Sequence, residues 1–230
     1  MKIIETLKKW NGTDLTKVVY PIIIFLTGWY IVANVYRLLF GEWVGQWGVM
    51  IFIVIWALLP IGFAYLAIKG VKLKFRWSFL SVIGIILIAA FALSVCLEIT
   101  SQYFDLANFF LTGQWDHFFF PIAFGLFFLC DLRGLPRRFW AMLTPFALFC
   151  LVPNFLVIAN VFFDKVIISG CPGFFRFFGV ESLAEFNKVP QQIFIRGMAF
   201  YLREQLTFFT TLPIVILYYF IKSMRKRMEL

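Results

Sequence analysis

Long apolar runs separated by short charged segments dominate the chain. Six runs approach the roughly 20 residues that a helix needs to cross about 30 Å of hydrocarbon at 1.5 Å per residue. The pattern predicts an all-α, polytopic integral membrane protein with six transmembrane helices, forming a single membrane domain over residues 1–230. The predicted spans lie near residues 18–40, 46–68, 77–97, 109–130, 139–163 and 206–222.

The fourth run is the weakest of the six predicted spans, because Asp116 and His117 interrupt it. Two interpretations stay open at this point. Either the helix includes both polar residues, or a shorter helix begins at His117 after a re-entrant or interfacial segment.

One long connection, residues 164–205, follows the fifth run. It is too apolar for a solvated linker, and "VESLAEF" and "QQIFIRGMAFYLREQL" place apolar residues at helical spacing with charges between them. We predict an extracytoplasmic amphipathic segment that lies on the outer leaflet between the fifth and sixth spans.

Composition agrees with a membrane protein. The chain is 62% hydrophobic and 14% charged, whereas a soluble domain is about half apolar and about a quarter charged. The 32 Phe and 8 Trp are typical of lipid-facing surfaces and interfacial belts. Membrane lipids are therefore the first expected partners.

The net charge of +9 raises the alternative of nucleic-acid binding, but the basic residues do not form one patch. Most of them fall in the N-terminal segment, the loops after the second and fourth spans, and the C-terminal tail. With six spans these four segments share one side, which the positive-inside rule makes cytoplasmic. We predict a cell (inner) membrane protein with both termini in the cytoplasm, and no nucleic-acid partner.

The four cysteines and the single histidine exclude common cofactor sites. No CxxC spacing is present, so a zinc site is not expected, and one histidine cannot provide bis-His haem ligation. We predict no metal and no cofactor. Cys96 and Cys171 fall on the same side of the membrane in this topology, which leaves a disulfide between them open.

Polar residues gather in one stretch, "LEITSQYFDLANFFLTGQWDHFFFP", residues 97–121. Glu98, Gln102 and Asp105 are spaced i, i+4 and i+7, which places them on one face if the third helix continues outward. Asn108 lies beyond them. One interpretation is a solvated extracytoplasmic loop without a functional site.

Asp116 and His117 open the next apolar run, so the chain direction brings the exit of the third helix and the entrance of the fourth helix together. An ionisable residue at membrane depth is costly and is therefore a functional candidate. We predict a shared polar site that opens away from the cytosol. His117 beside Asp116 is also typical of a helix cap with an interfacial polar residue.

The residues "LEITSQYF…GQWDHFFFPIAFG" resemble the signature of VanZ-like membrane proteins over about 30 residues. Glu98 and Gln102 match an acidic residue and a glutamine one turn later. Gly113 and Asp116 match the loop and the second acidic position, and Gly125 matches the small residue in the following helix.

The resemblance implies a cell-envelope function, since VanZ-like proteins are associated with low-level resistance to teicoplanin-type glycopeptides. It suggests a lipid-linked or peptidoglycan-derived ligand, bound or chemically altered. Catalytic candidates are Glu98, as acid or base, together with Gln102, Asp116 and His117. Asp105 and Asn108 are ligand-binding candidates.

Two other function classes stay open. The chain is alternatively a subunit of an oligomeric channel or membrane effector, as a homo-oligomer, with polar residues of the spans lining a path. The pore-lining candidates are Asn34, Arg37, Asn154 and Asn160. It is also an accessory-subunit candidate for a larger membrane complex.

Overall fold

The computed structural model describes residues 10–40, 49–100, 115–162, 206–207 and 210–228. For residues 49, 52, 98–100, 115–118, 152–162 and 226–228 it describes the helical backbone only. Within this part of the chain lie six α-helices: α1 (Thr16–Phe40), α2 (Val49–Ile68), α3 (Phe79–Thr100), α4 (Trp115–Phe128), α5 (Arg137–Phe162) and α6 (Leu212–Met228).

The all-α fold class is confirmed, since the described residues contain no β-strand and only two isolated bridges. Each helix overlaps one predicted span. The described α4 has 14 residues, or about 21 Å, and it begins at Trp115, two residues before His117. Two helical stretches, Thr16–Phe40 and Phe79–Leu97, are long and apolar enough to cross a membrane.

The outer surfaces of the helices are apolar. Each of the six helices exposes large hydrophobic side chains, among them Phe25, Val54, Ile86, Leu148 and Ile214, which are all more than half exposed. A helix that is apolar on every side is typical of a membrane span or of a fully buried core helix. Because these side chains are not buried in the protein, the surface indicates a membrane location.

Aromatic side chains fill the interior between α2, α4 and α5. The ring of Phe63 on α2 lies edge-on to Phe127 at 4.9 Å and to Phe139 at 5.4 Å. Trp56, about two turns earlier on α2, contacts Phe146 on α5 and Tyr30 on α1. Edge-to-face ring pairs add about 0.5–1.5 kcal/mol beyond the area they bury.

Neighbouring helices run antiparallel. α1 packs on α2 and α4, α3 packs on α4, and α5 packs on α2 and α6. The closest approach joins α3 and α4, where a Cβ added at Gly84 would lie 2.5 Å from the carbonyl oxygen of Gly125. Only glycine permits the two backbones to come this near.

Three chain segments meet at one end of the bundle, and we call them the clasp: residues 10–15, 71–77 and 129–131. The middle segment is extended between the other two. Isolated antiparallel bridges join it to both sides, Asp14 with Lys74 and Phe75 with Cys130.

Backbone hydrogen bonds hold the clasp together. Phe75 donates its N–H to Thr13 O at 2.7 Å and accepts from Gly12 N at 2.9 Å. On the other side, Lys74 O accepts from Asp131 N at 2.8 Å. The clasp therefore fixes the beginning of α1, the end of α2, the beginning of α3 and the end of α4 beside one another.

Carboxylates support the clasp. Asp131 accepts hydrogen bonds from Arg76 at 2.8 Å and from Arg133 at 3.0 Å. Asp14 accepts from Thr16 N at 2.9 Å, and hydrogen bonding to Thr16 lowers the pKa of the Asp14 carboxyl. Asp131 is thus tied to two arginines of the clasp end, and hydrogen bonding favours the charged form of Asp14.

Candidate functional site

The clasp end carries the positive charge. The ring of Trp140, in the first turn of α5, stacks on Tyr219 of α6 at 4.9 Å, so the second half of α6 also lies at this end. The basic residues gathered here are Lys17, Lys69, Lys72, Lys74, Arg76, Arg133, Arg137, Arg138, Lys222 and Arg225. Among the described residues, the acidic residues at this end are Asp14 and Asp131 alone.

The predicted polar site belongs to the opposite end of the bundle, which we call the outer end. α3 runs from the clasp toward it, and α4 runs back from it. The described helices therefore place the backbone of Glu98 in the last turn of α3 and the backbone of Asp116 and His117 in the first turn of α4.

The structure describes the other predicted site residues to different extents. Gln102, Asp105 and Asn108 lie outside the described residues, as do Cys171 and segment 164–205. Of the channel candidates, Asn154 and Asn160 have a helical backbone in α5 without described side chains. Asn34 and Arg37 are described in full: Asn34 is buried and Arg37 is half-buried.

The register between α3 and α4 fixes the relative heights of the carboxylate positions. Phe91 lies opposite Phe119, with ring centres 5.9 Å apart. Because the helices are antiparallel, position 116 is level with Ser94, and Glu98 lies one further turn outward, about 6 Å along the helix axis. Ser94 is buried and donates to its own helix, at Phe91 O, at 2.8 Å.

The positions of Asp116 and His117 continue the core-facing strip of α4. Phe120 and Phe124, both 0% exposed, form that strip and face α1 and α2. With about 100° of rotation per residue, position 116 lies about 40° from Phe120 and position 117 about 20° from Phe124. Gly125, which faces α3, lies on the opposite side of the helix from position 116.

Asn34 of α1 lies at the same height. Tyr30 contacts Phe120 with ring centres 5.7 Å apart. Asn34 is one turn outward of Tyr30, and Asp116 is one turn outward of Phe120, so the two positions are level across the α1–α4 contact. The register thus makes Asn34, rather than Glu98, the polar residue level with Asp116 on its core-facing side.

The side chain of Asn34 is 1% exposed. Its Nδ2 donates to Tyr30 O, in its own helix, at 2.7 Å. Its Oδ1 is buried and has no hydrogen-bond partner among the residues that the structure describes. A buried acceptor without a donor costs about 1–3 kcal/mol, so this oxygen is an unusual feature of the interior.

Thr207 has a second buried oxygen of this kind. It is 0% exposed, and within the described ranges its Oγ1 has no hydrogen-bond partner. We call Asn34 and Ser94, with positions 116 and 117, the outer polar layer.

Sequence reasoning did not find Ser94 or Thr207. Ser94 precedes Glu98 by one helical turn, and that spacing was a usable signal for a polar position on the same face. Thr207 lies in an apolar run that gives no such signal.

The described residues contain no group of three or more His, Cys, Asp or Glu that could hold a metal ion. The chain was also compared with known proteins. No family model, no curated protein and no solved structure matches it.

Proposed function

We propose that the chain is a six-pass membrane protein of the cell envelope, with both termini in the cytoplasm. The clasp end is then the cytoplasmic end, because basic residues are retained on that side. Support comes from the antiparallel helices, which bring the basic loops and the second half of α6 to one end. The outer end then faces away from the cytosol.

At the outer end, in this proposal, a polar site binds or chemically alters the headgroup of a lipid-linked or cell-wall-derived ligand. The observation that carries it is the outer polar layer, where the first-turn positions of α4 continue a fully buried strip and lie level with an orphaned buried amide. The resemblance of residues 97–126 to VanZ-like proteins points to the same end of the molecule.

Roles within the site follow from residue chemistry. The backbone positions of Asp116 and His117 continue the core-facing strip of α4, so we assign these two residues to the inner part of the site. Glu98, about one turn farther out on α3, is then the acid or base nearer the aqueous surface, and Gln102 follows it by four residues in the sequence. A carboxyl group in this position can give or accept a proton during a reaction on a bound ligand.

The oligomeric channel stays a second prediction. Asn34, its candidate in the described interior of α1, is 1% exposed, one turn from Tyr30, whose ring contacts Trp56 and Phe120. An enclosed side chain suits a closed binding site better than the wall of an open path. The accessory-subunit interpretation also stays a prediction.

The test is a susceptibility assay with a teicoplanin-type glycopeptide in the native host. We expect Glu98→Gln, Gln102→Ala and Asp116→Asn each to shift susceptibility toward that of the deletion strain. If Glu98 acts in proton transfer, its variant loses about 10²–10⁴-fold in rate, which is a full loss of phenotype.

Asp14→Asn is the matched control, because it makes the same carboxylate-to-amide change at the clasp end. It should behave as wild type. Wild-type susceptibility in all three site variants, at wild-type protein levels in the membrane, would remove the proposed site.

A further inference from the structure

The orphaned oxygen of Asn34 points to a ligand. Helical membrane proteins commonly satisfy buried polar side chains within their own helix, as Thr27 does by donating to Ile23 O at 2.6 Å. Asn34 satisfies only its donor in this way. Its acceptor has no hydrogen-bond partner within the described part of the chain.

The missing partner is a hydrogen-bond donor. An amide oxygen accepts and does not donate, so neither a carboxylate nor a phosphate oxygen on a ligand would satisfy it. The level position 116 is an aspartate, which when ionised is also an acceptor only. An N–H or O–H group therefore suits this part of the layer, and a positively charged N–H group suits it best.

The depth of Asn34 in the bundle limits which ligand groups can reach its oxygen. Asn34 lies six residues before the end of α1 at Phe40, or about 9 Å below the outer end. The headgroup and interfacial region on each side of a bilayer is about 5–8 Å thick. A lipid headgroup that bends slightly inward between α1 and α4 would reach this height.

We propose that Asn34 Oδ1 accepts a hydrogen bond from an N–H or O–H donor on a lipid headgroup, and that this contact makes the outer site select amine- or hydroxyl-bearing headgroups over quaternary ammonium ones. The inference rests on the proposed function, since it names the ligand class of the same site. Asn34 is then a specificity-determining residue.

The probes are three phospholipids with matched acyl chains: phosphatidylethanolamine, phosphatidylglycerol and phosphatidylcholine. Only the choline headgroup has no donor. Each lipid is titrated into the full-length protein in detergent, and its apparent affinity is taken from the rise in the melting temperature. Free ethanolammonium chloride in a parallel titration tests whether the donor needs a lipid.

Wild type should bind phosphatidylethanolamine about 2- to 10-fold more tightly than phosphatidylcholine, which is the size of one hydrogen bond. Phosphatidylglycerol should lie between them, because its negative charge opposes Asp116. Asn34→Leu should raise the melting temperature of the lipid-free protein, since it removes the orphaned acceptor, and should abolish the preference.

Thr27→Val is the matched control, because it replaces a buried polar group on the same helix whose hydrogen bond is internal. It should keep the lipid preference. Asn34→Asp retains an acceptor and adds charge, so it should keep or increase the preference for the amine. If Asn34→Leu does not fold, the lipid preference of Asn34→Asp tests the inference instead.

Three results would overturn the inference. A preference that persists in Asn34→Leu removes Asn34 as its cause, and equal lipid affinities in wild type remove the preference itself. A shift produced equally by free ethanolammonium removes the lipid as the source. If no lipid binds wild type, the inference also fails. The proposed function is decided separately by the susceptibility assay with the Glu98, Gln102 and Asp116 variants.

Discussion

At the residue scale, buried polar side chains on α1 are satisfied to different degrees. Thr27 bonds within its own helix, and Tyr20 donates its hydroxyl to Val71 O of the clasp at 2.8 Å. Asn34 alone of these three leaves a buried acceptor unpaired. The paired groups stabilise the bundle, whereas the unpaired one lies at the end proposed to bind ligand.

Tyr20→Phe should lower the free energy of unfolding by about 1 kcal/mol, because it removes one hydrogen bond between α1 and the clasp while keeping the buried ring. Reversible unfolding in mixed micelles measures this change. Tyr36→Phe is the control, since Tyr36 is on the same helix with its side chain 63% exposed; equal losses in the two variants would contradict the structural role of the Tyr20 hydroxyl.

At the scale of elements, the α3–α4 pair depends on two glycines. A Cβ at Gly84 would lie 2.5 Å from Gly125 O, and a Cβ at Gly125 would lie 2.7 Å from Ile88 Cγ1. The first clash is with backbone, which cannot rotate away. This contact sets the register of α3 and α4, and that register decides the heights of Glu98 and Asp116.

Gly84→Ala should destabilise the protein by about 1–3 kcal/mol, because the added methyl group forces the two backbones apart. Gly28→Ala is the matched control: Gly28 lies inside α1, and a Cβ there meets nothing within 4 Å. It should be neutral or stabilising, since alanine favours the helix by about 0.5–1 kcal/mol. Unfolding in mixed micelles compares them, and similar losses at both sites would exclude the close contact.

The positions of the helices along the chain could be predicted from the sequence, but the side of each helix that faces the core could not. A run of about 20 apolar residues marks a helix by length alone, so all six predicted spans overlap a described helix. Helices α2 and α3 are apolar on nearly every side, and the usual amphipathic signal for the core-facing side is absent there. That the position of Asp116 lies on the strip of Phe120 follows only from the packing.

Local sequence likewise predicted only part of the candidate site and did not predict the clasp. Spacing alone predicted a shared face for Glu98 and Gln102, and chain direction predicted that the ends of α3 and α4 meet. The pairing of Phe75 with Thr13 joins residues about 60 positions apart, and nothing local in the sequence encodes it. Asn34 was a polar candidate by composition, but its orphaned oxygen is a property of the packed interior.

At the scale of the whole molecule, charge and polarity divide the bundle into two ends. The clasp end gathers the basic residues around two carboxylates, and the outer end holds the buried polar layer. Retention of positive charge in the cytoplasm orients such a bundle. The orientation, the six crossings and the outward site are therefore one linked proposal, and a topology measurement tests the first two together.

Single-cysteine variants in a background with the four native cysteines replaced should report this topology. Lys72→Cys and Arg225→Cys, both exposed at the clasp end, should react with a membrane-impermeant maleimide in inside-out vesicles and not in intact spheroplasts. Phe40→Cys, at the outer end of α1 and 74% exposed, should show the reverse order of reactivity. Because α5 and α6 separate the clasp from Arg225, labelling of positions 72 and 225 from opposite sides would mean that one of these helices does not cross, and the six-pass arrangement would be wrong.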